Sequence, residues 1–290
     1  RRVLFRSKSN WQTWHNAAMV MGGGVLGNLN WVQRALRDPG NGFMDQMKIS
    51  VSDDGMWYEN SWGYHFYTLS AMMEIVEGAR RLNLDFWGHP TLKKMFTIGV
   101  QYTMPTGYLP RFGDDVNARS GRGSAYMETA YNAYRDETML PFLSASPTML
   151  SIMFGRKAEP GPEMPKLTSQ LFPAAGHAIL RSDAPAGLAA VMTFGPYGGG
   201  HGHFDKLSFV FFGHGAELGV DPGRARSQAY RLPIHRNWYK ATISHNAVLV
   251  NQKSQAGVEG ELRLFAANER YGAARAICVK AHPDAGQRGP

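Results

Sequence analysis

Lys157-Ala158-Glu159-Pro160-Gly161-Pro162-Glu163-Met164-Pro165-Lys166 separates two kinds of sequence. Three prolines and a glycine in ten residues leave no room for a regular element, so this stretch reads as a linker. Upstream, apolar residues recur at helical steps. Trp62, Phe66, Leu69, Met73 and Val76 form one stripe, with Asn60 or Ser61 as a possible N-cap. Pro90-Thr91 predicts a second helix start running through Met95 and Ile98, and further helical pieces are expected near 127–134 and 147–154. Downstream, 176–181, 188–194, 207–212, 247–250 and 261–265 read as strands. Helices followed by strands in separate blocks predict an α+β, multidomain chain divided into residues 1–165 and 166–290.

Composition sets further bounds. At 290 residues, with 43% hydrophobic and 12% aromatic content, the chain can fill a real core. The formal charge of +8 suits a polyanionic partner. The cations are scattered, with local groups at Arg111, Arg119 and Arg122 and at Arg224, Arg226, Arg231 and Arg236. No block of the nucleic-acid-binding type is present, and a scattered basic surface is compatible with an anionic sugar chain or with solubility alone. One cysteine, Cys278, excludes an internal disulfide and a thiolate metal cage. Residues 10–33 lack Asp, Glu, Lys and Arg and are long enough to cross a bilayer. They also hold Gln12, His15, Asn16, Asn28, Asn30 and three successive glycines, so a buried helix and a turn are expected, with no membrane span. The chain opens at Arg1 without Met, so it reads as a piece of a longer protein, and a missing signal peptide carries no weight.

The chemistry concentrates in Gly198-Gly199-Gly200-His201-Gly202-His203-Phe204-Asp205. If this stretch is extended, His201 and His203 point to one face. Imidazole is both the commonest metal ligand and the commonest general acid or base. Asp221, in Asp221-Pro222-Gly223, and His245, in Ser244-His245-Asn246, complete with His203 a set that zinc would accept, with room for a fourth ligand. The same residues have plainer readings as a turn aspartate and hydrogen-bonded histidines. A zinc hydrolase would need an acidic base near the metal, and Glu217 is the nearby candidate in sequence. A non-catalytic polyanion binder is the third alternative.

Five stretches in order carry a family resemblance: Tyr58-Glu59-Asn60-Ser61-Trp62-Gly63-Tyr64-His65, Leu109-Pro110-Arg111-Phe112-Gly113-Asp114, His201-Gly202-His203-Phe204-Asp205, Asp221-Pro222-Gly223 and Ser244-His245-Asn246-Ala247-Val248. Together the chain resembles the heparinase II/III-like polysaccharide lyases, which include heparin and heparan lyases and exo-type alginate lyases. The resemblance implies an incomplete (α/α) toroid followed by an antiparallel β-sandwich. It implies β-elimination at a 4-O-linked uronic acid, leaving a 4,5-unsaturated uronate, on an anionic polysaccharide or oligosaccharide. It also implies a periplasmic or secreted protein; oligomeric state stays open.

The resemblance assigns roles residue by residue. Asn10 matches the asparagine that neutralises the substrate carboxylate; the following residue, often His in the family, is here Trp11, and His15 one turn on could replace it. Tyr64 matches the catalytic tyrosine, and His201 the histidine beside the reacting carbon. His203, Asp221 and His245 match the zinc ligands, whose ion is mostly structural. Tyr230 matches a second site tyrosine of the alginate-type members, with Tyr239 as its rival. Trp62 and Arg111 are candidate substrate contacts, Arg111 having an ion pair with Asp114 or Asp115 as its alternative.

Overall fold

Ser9 opens the first helix because its hydroxyl accepts the backbone N–H of Gln12, which would otherwise have no partner at a helix start. The structure is a computed structural model that describes residues 8–121, 123–183, 187–226 and 231–285. Its backbone divides into two units: 1–58, 64–100 and 121–165 in the first, and 59–63, 101–120 and 166–290 in the second.

The first unit is helical. α1 (Asn10–Val25), α2 (Leu29–Arg37), α3 (Phe43–Ser50), α4 (Trp62–Arg81), α5 (Pro90–Gln101), α6 (Ala125–Tyr134) and α7 (Met149–Met153) follow in chain order. The predicted helix and turn over 10–33 are α1 and the start of α2, and no described helix is long and apolar enough to cross a membrane. One cluster joins Val20, Val32, Leu36, Phe43, Met47, Leu92, Met95 and Phe96. α4 adds Leu69, Met72, Ile75 and Val76, all fully buried, each worth roughly 1.5–3 kcal/mol of apolar burial. The buried face of α4 is therefore wider than the sequence stripe, in which Phe66 and Met73 are only partly covered. The buried Glu128 of α6 receives Arg156 through two parallel hydrogen bonds, Nε to Oε1 at 2.6 Å and a terminal nitrogen to Oε2 at 2.8 Å.

His65 of α4 is buried in this unit. Its Nδ1 accepts the Trp57 N–H at 3.3 Å, and its Nε2 faces the Met95 carbonyl at 2.9 Å. One nitrogen accepts and the other donates, so the ring is a neutral crosslink. Burial pushes it down to about 4, against the smaller upward pull of the Met95 carbonyl. The folded state thus binds this proton less readily than the unfolded chain. Stability is complete above the ordinary histidine range and falls as pH drops through it towards 4. Between about pH 7 and about pH 5, about 2 kcal/mol should be lost through this ring. Urea unfolding at the two pH values measures it; an unchanged pH slope in His65→Gln would refute it.

The second unit carries the strands. β1 (Gln170–Phe172), β2 (His177–Arg181), β3 (Ala189–Thr193), β4 (Phe209–Gly213) and β5 (Ala216–Gly219) form an antiparallel meander in that order. Registers include His177 opposite Thr193 and Val191 opposite Val210. Ala189, Val191 and Thr193 alternate inward along β3, as a half-buried strand requires. β6 (Glu261–Ala267) and β7 (Gly272–Ile277) form a separate antiparallel pair.

The strand expected over 247–250 is absent. Val248 is exposed, and only an isolated bridge pairs Val250 with Lys253. The side chain of Asn246 donates to the carbonyls of Phe209 and Val220, so a side chain, not a backbone ladder, ties this stretch down. β2 opens on the buried His177, stacked on Phe112 with centroids 4.1 Å apart and paired with the Tyr102 hydroxyl at 2.9 Å. Burial, helped by the Lys206 charge, pushes this ring down to about 3.

Candidate active site and metal centre

The 110–115 loop is anchored before its chemistry begins. Trp62 Nε1 donates to the Pro110 carbonyl, and Phe112 lies on His177. Asp115 points to the start of α4, where Ser61 Oγ, Trp62 N–H and Gly63 N–H each donate to it at 2.8 Å and Phe112 N–H at 3.4 Å. Burial pushes its carboxyl up to about 7 against these four hydrogen bonds. Asp114 faces the other way.

The Gly198–Asp205 stretch is not the strand that would put both histidines on one face. Gly199–His201 is a single 3₁₀ turn, entered through Gly198 at φ 84°. Gly202 follows in extended conformation, and a Cβ there would lie 1.5 Å from the Tyr197 carbonyl oxygen. Gly113 is constrained similarly: its φ is 49°, and a Cβ would sit 2.5 Å from the His201 carbonyl oxygen. That close approach lets Asp114 N–H donate to the same oxygen at 3.0 Å.

Both histidines nevertheless reach one carboxylate. Asp114 Oδ2 is 2.7 Å from His201 Nδ1, and Oδ1 is 2.9 Å from His203 Nε2. Oδ1 is also 2.9 Å from Nε2 of His235, which opens a π-helical turn, His235–Tyr239. Burial opposes ionisation of Asp114, but hydrogen bonds from His201 and His203 and the charges of His203 and His235 hold it well below the usual carboxylate range. On its other side, His201 Nε2 lies 3.6 Å from Glu59 Oε1.

His203 also belongs to a second cluster. His203, Asp221 and His245 are all buried and present ligand atoms within 4.8 Å of one another. Asp221 Oδ1 accepts the Gly223 N–H at 2.8 Å, the turn predicted from Asp-Pro-Gly, and Oδ2 is 2.7 Å from His245 Nδ1. Burial lowers His245, but the hydrogen bond and charge of Asp221, the charge of Asp205 and the Tyr239 carbonyl outweigh it and raise the ring above its ordinary value. The decisive atom is His203 Nδ1: it is buried, and no described group hydrogen-bonds to it. Two imidazoles and one carboxylate around an unsatisfied nitrogen fit a divalent cation of the zinc kind. Asp114, His203 and His235 form another group whose ligand atoms lie within 4.8 Å of one another. There the nitrogen facing Asp114 is already hydrogen-bonded to it.

Residues 2–142 match the family described as Heparinase II/III N-terminus, and residues 164–285 match Heparinase II/III-like, C-terminal. The chain belongs to the heparinase II/III-like family. It is 29% identical over 278 residues to a protein named alginate lyase from Stenotrophomonas maltophilia, covering 84% of this chain and 37% of that one. It is 26% identical over 290 residues to an exo-oligoalginate lyase from Saccharophagus degradans, covering 86% of this chain and 38% of that one. The chain therefore spans less than two fifths of these curated relatives. The crystal structure of heparan sulfate lyase HepC from Pedobacter heparinus superposes with a TM-score of 0.69 at 17% identity, over 92% of this chain and 41% of that one. This likeness shows a shared fold.

Within the family's motifs, the structure separates the remaining candidates. Trp62, expected against substrate, is fully buried against Tyr102 and offers a sugar no surface. Arg111 pairs at 2.6 Å with Glu217, neither with Asp114 nor with Asp115. The same contact engages Oε2 of Glu217, the base a zinc hydrolase would need, and leaves its buried Oε1 without a hydrogen-bond partner among the described residues. Tyr239 is half-buried with its ring 6.1 Å from that of His235. In the helical unit, Asn10 is buried at the first position of α1, His15 is exposed one turn on, and Tyr64 is half-buried against the helical core. Tyr230 lies outside the described residues. Asp114 and His235 escaped the sequence reading as site residues. The Phe-Gly-Asp stretch was the available signal for the first; the second stood unremarked in Pro-Ile-His.

Proposed function

We propose that this chain cleaves a uronate-containing anionic polysaccharide by β-elimination, leaving a 4,5-unsaturated uronate. The observation that carries the reading is His201, anchored at 2.7 Å through Nδ1 on the buried Asp114 carboxyl, within a chain of this family. Alginate or its oligosaccharides are the substrate class favoured by the names of the curated relatives. A heparan-type glycosaminoglycan is second, suggested by the structural neighbour, a heparan sulfate lyase.

The reaction defines what each residue does. The C5 proton is weakly acidic because the adjacent carboxylate is already negative. Asn10, with His15 in place of the absent neighbouring histidine, shields that carboxylate, and donors aimed at the developing enolate charge lower the barrier. His201 accepts the C5 proton at Nε2, the C–H pair becomes the C4=C5 bond, and the C4–O4 bond breaks. Tyr64 gives its hydroxyl proton to O4. Tyr230 or Tyr239 supplies a second phenol. His203, Asp221 and His245 would hold zinc, whose contribution when bound is to brace the loops around them. Residues 1–165 would belong to an (α/α) toroid and 166–290 to an antiparallel β-sandwich, in a protein of the periplasm or the cell exterior.

The test is ultraviolet absorbance during incubation with alginate, heparan sulfate, chondroitin and hyaluronan. One polymer should give a rising unsaturated-uronate signal that Tyr64→Phe loses. Folded, zinc-loaded protein that gives no signal on any of them would overturn the reading.

A further inference from the structure

We infer that Asp114 is a positioning residue that fixes the ring tautomers of His201 and His203 together, so that one carboxylate sets both the acid/base imidazole and the cation-holding imidazole. The inference rests on the lyase reading only for what His201 does to substrate.

The argument begins from donors and acceptors. Above the imidazole titration range each ring carries a single N–H, and a carboxylate oxygen accepts it. The nitrogen at 2.7–2.9 Å from Asp114 must therefore be the protonated one in each ring. For His201 that nitrogen is Nδ1, which leaves the lone pair on Nε2. For His203 it is Nε2, which leaves the lone pair on Nδ1, the buried atom without a partner. Two histidines separated by one glycine are thus held as opposite tautomers by opposite oxygens of one side chain. His235 Nε2 lies at 2.9 Å from the same Oδ1 that faces His203. A carboxylate behind a ligating histidine is the usual device for fixing which nitrogen faces a metal.

The placement is enforced by backbone. Asp114 N–H donates to the His201 carbonyl, and Gly113 allows the approach, so the carboxylate cannot drift from the loop it organises. The neighbouring Asp115 is committed to the start of α4 and is turned away from the histidines.

The experiment compares the wild-type protein with Asp114→Asn, using zinc as the only added ligand. Long-range proton–nitrogen spectra of the zinc-free protein, taken above the ordinary imidazole range, should show His201 protonated on Nδ1 and His203 on Nε2. Asparagine offers one acceptor oxygen and one amide donor, so at least one of these rings must exchange tautomers or lose its bond. Zinc affinity should fall by about 10–100-fold. On a polymer that the protein cleaves, kcat should fall by about 10-fold or more with KM changed less than about twofold. The reverse tautomer at either ring in the wild type overturns the inference even if the variant does not fold. Unchanged tautomers with both ring contacts to residue 114 kept in a folded variant also overturn it. A loss of zinc affinity far beyond about 100-fold would make Asp114 a ligand and not a positioning group, and overturns it too. Tautomers and zinc are read without substrate. If they behave as stated while no polymer is cleaved, only the lyase reading falls.

Discussion

Replacing His201 by Ala should lower turnover on the cleaved polymer by about 10²–10⁴-fold, the span typical for loss of a positioned acid or base. Folding should survive. The side chain is 27% exposed, and its departure costs the hydrogen bond to Asp114 and the 3.6 Å contact with Glu59, while Asp114 keeps its contacts with His203 and His235. A stability loss of about 1–2 kcal/mol is the corresponding figure. The two effects separate a chemical from a tethering role. If His201 merely tied its loop to Asp114, activity would fall only as far as folding does, and added imidazole would restore nothing. If the ring transfers the proton, free imidazole diffusing into the space left by His201→Ala should restore part of the rate. Measuring kcat with and without imidazole, beside a urea unfolding curve, decides between them.

Replacing Asp115 by Ala should give the largest loss of stability among the carboxylates near the site, about 3–5 kcal/mol. Its side chain is fully buried and accepts from Ser61, Trp62, Gly63 and Phe112. Removing it leaves two N–H groups at the first turn of α4, a hydroxyl and the Phe112 N–H facing a space without an acceptor. Buried donors stripped of partners cost about 1–3 kcal/mol each before relaxation. The damage should centre on the start of α4, so amide exchange at Trp62 and Gly63 should quicken more than at β2 or β3. A urea midpoint within experimental error of the wild type would show that water or a local shift replaces the carboxylate.

The contrast between these adjacent aspartates shows where sequence reading stops. Helix stripes, prolines and short apolar runs mark α4, α5, β2, β3 and β4 because each pattern is local. His203, Asp221 and His245 were legible as a group because their residue types announce a ligand set and their motifs are short. Which of Asp114 and Asp115 serves the histidines is not written locally. Asp114 is separated from His201 and His203 by 87 and 89 residues, and the answer depends on which way two neighbouring side chains point. The same limit hid the partner of Arg111, since Glu217 lies 106 residues away, in β5 of the bulged β4–β5 pair. The expectation for 247–250 failed for the opposite reason. An apolar run has strand propensity, but pairing needs a neighbour, and the Asn246 side chain already occupies the carbonyls of Phe209 and Val220.

Gly202 has a consequence for how this protein can change over generations. With the Tyr197 carbonyl oxygen filling the space of any Cβ, every other amino acid at that position must displace a backbone segment. His201 and His203 flank it with side chains whose loss removes chemistry but leaves the chain path open. A descendant can therefore surrender its imidazoles one at a time while keeping the glycine. In a silent descendant, the middle letter of His-Gly-His should outlast the outer two.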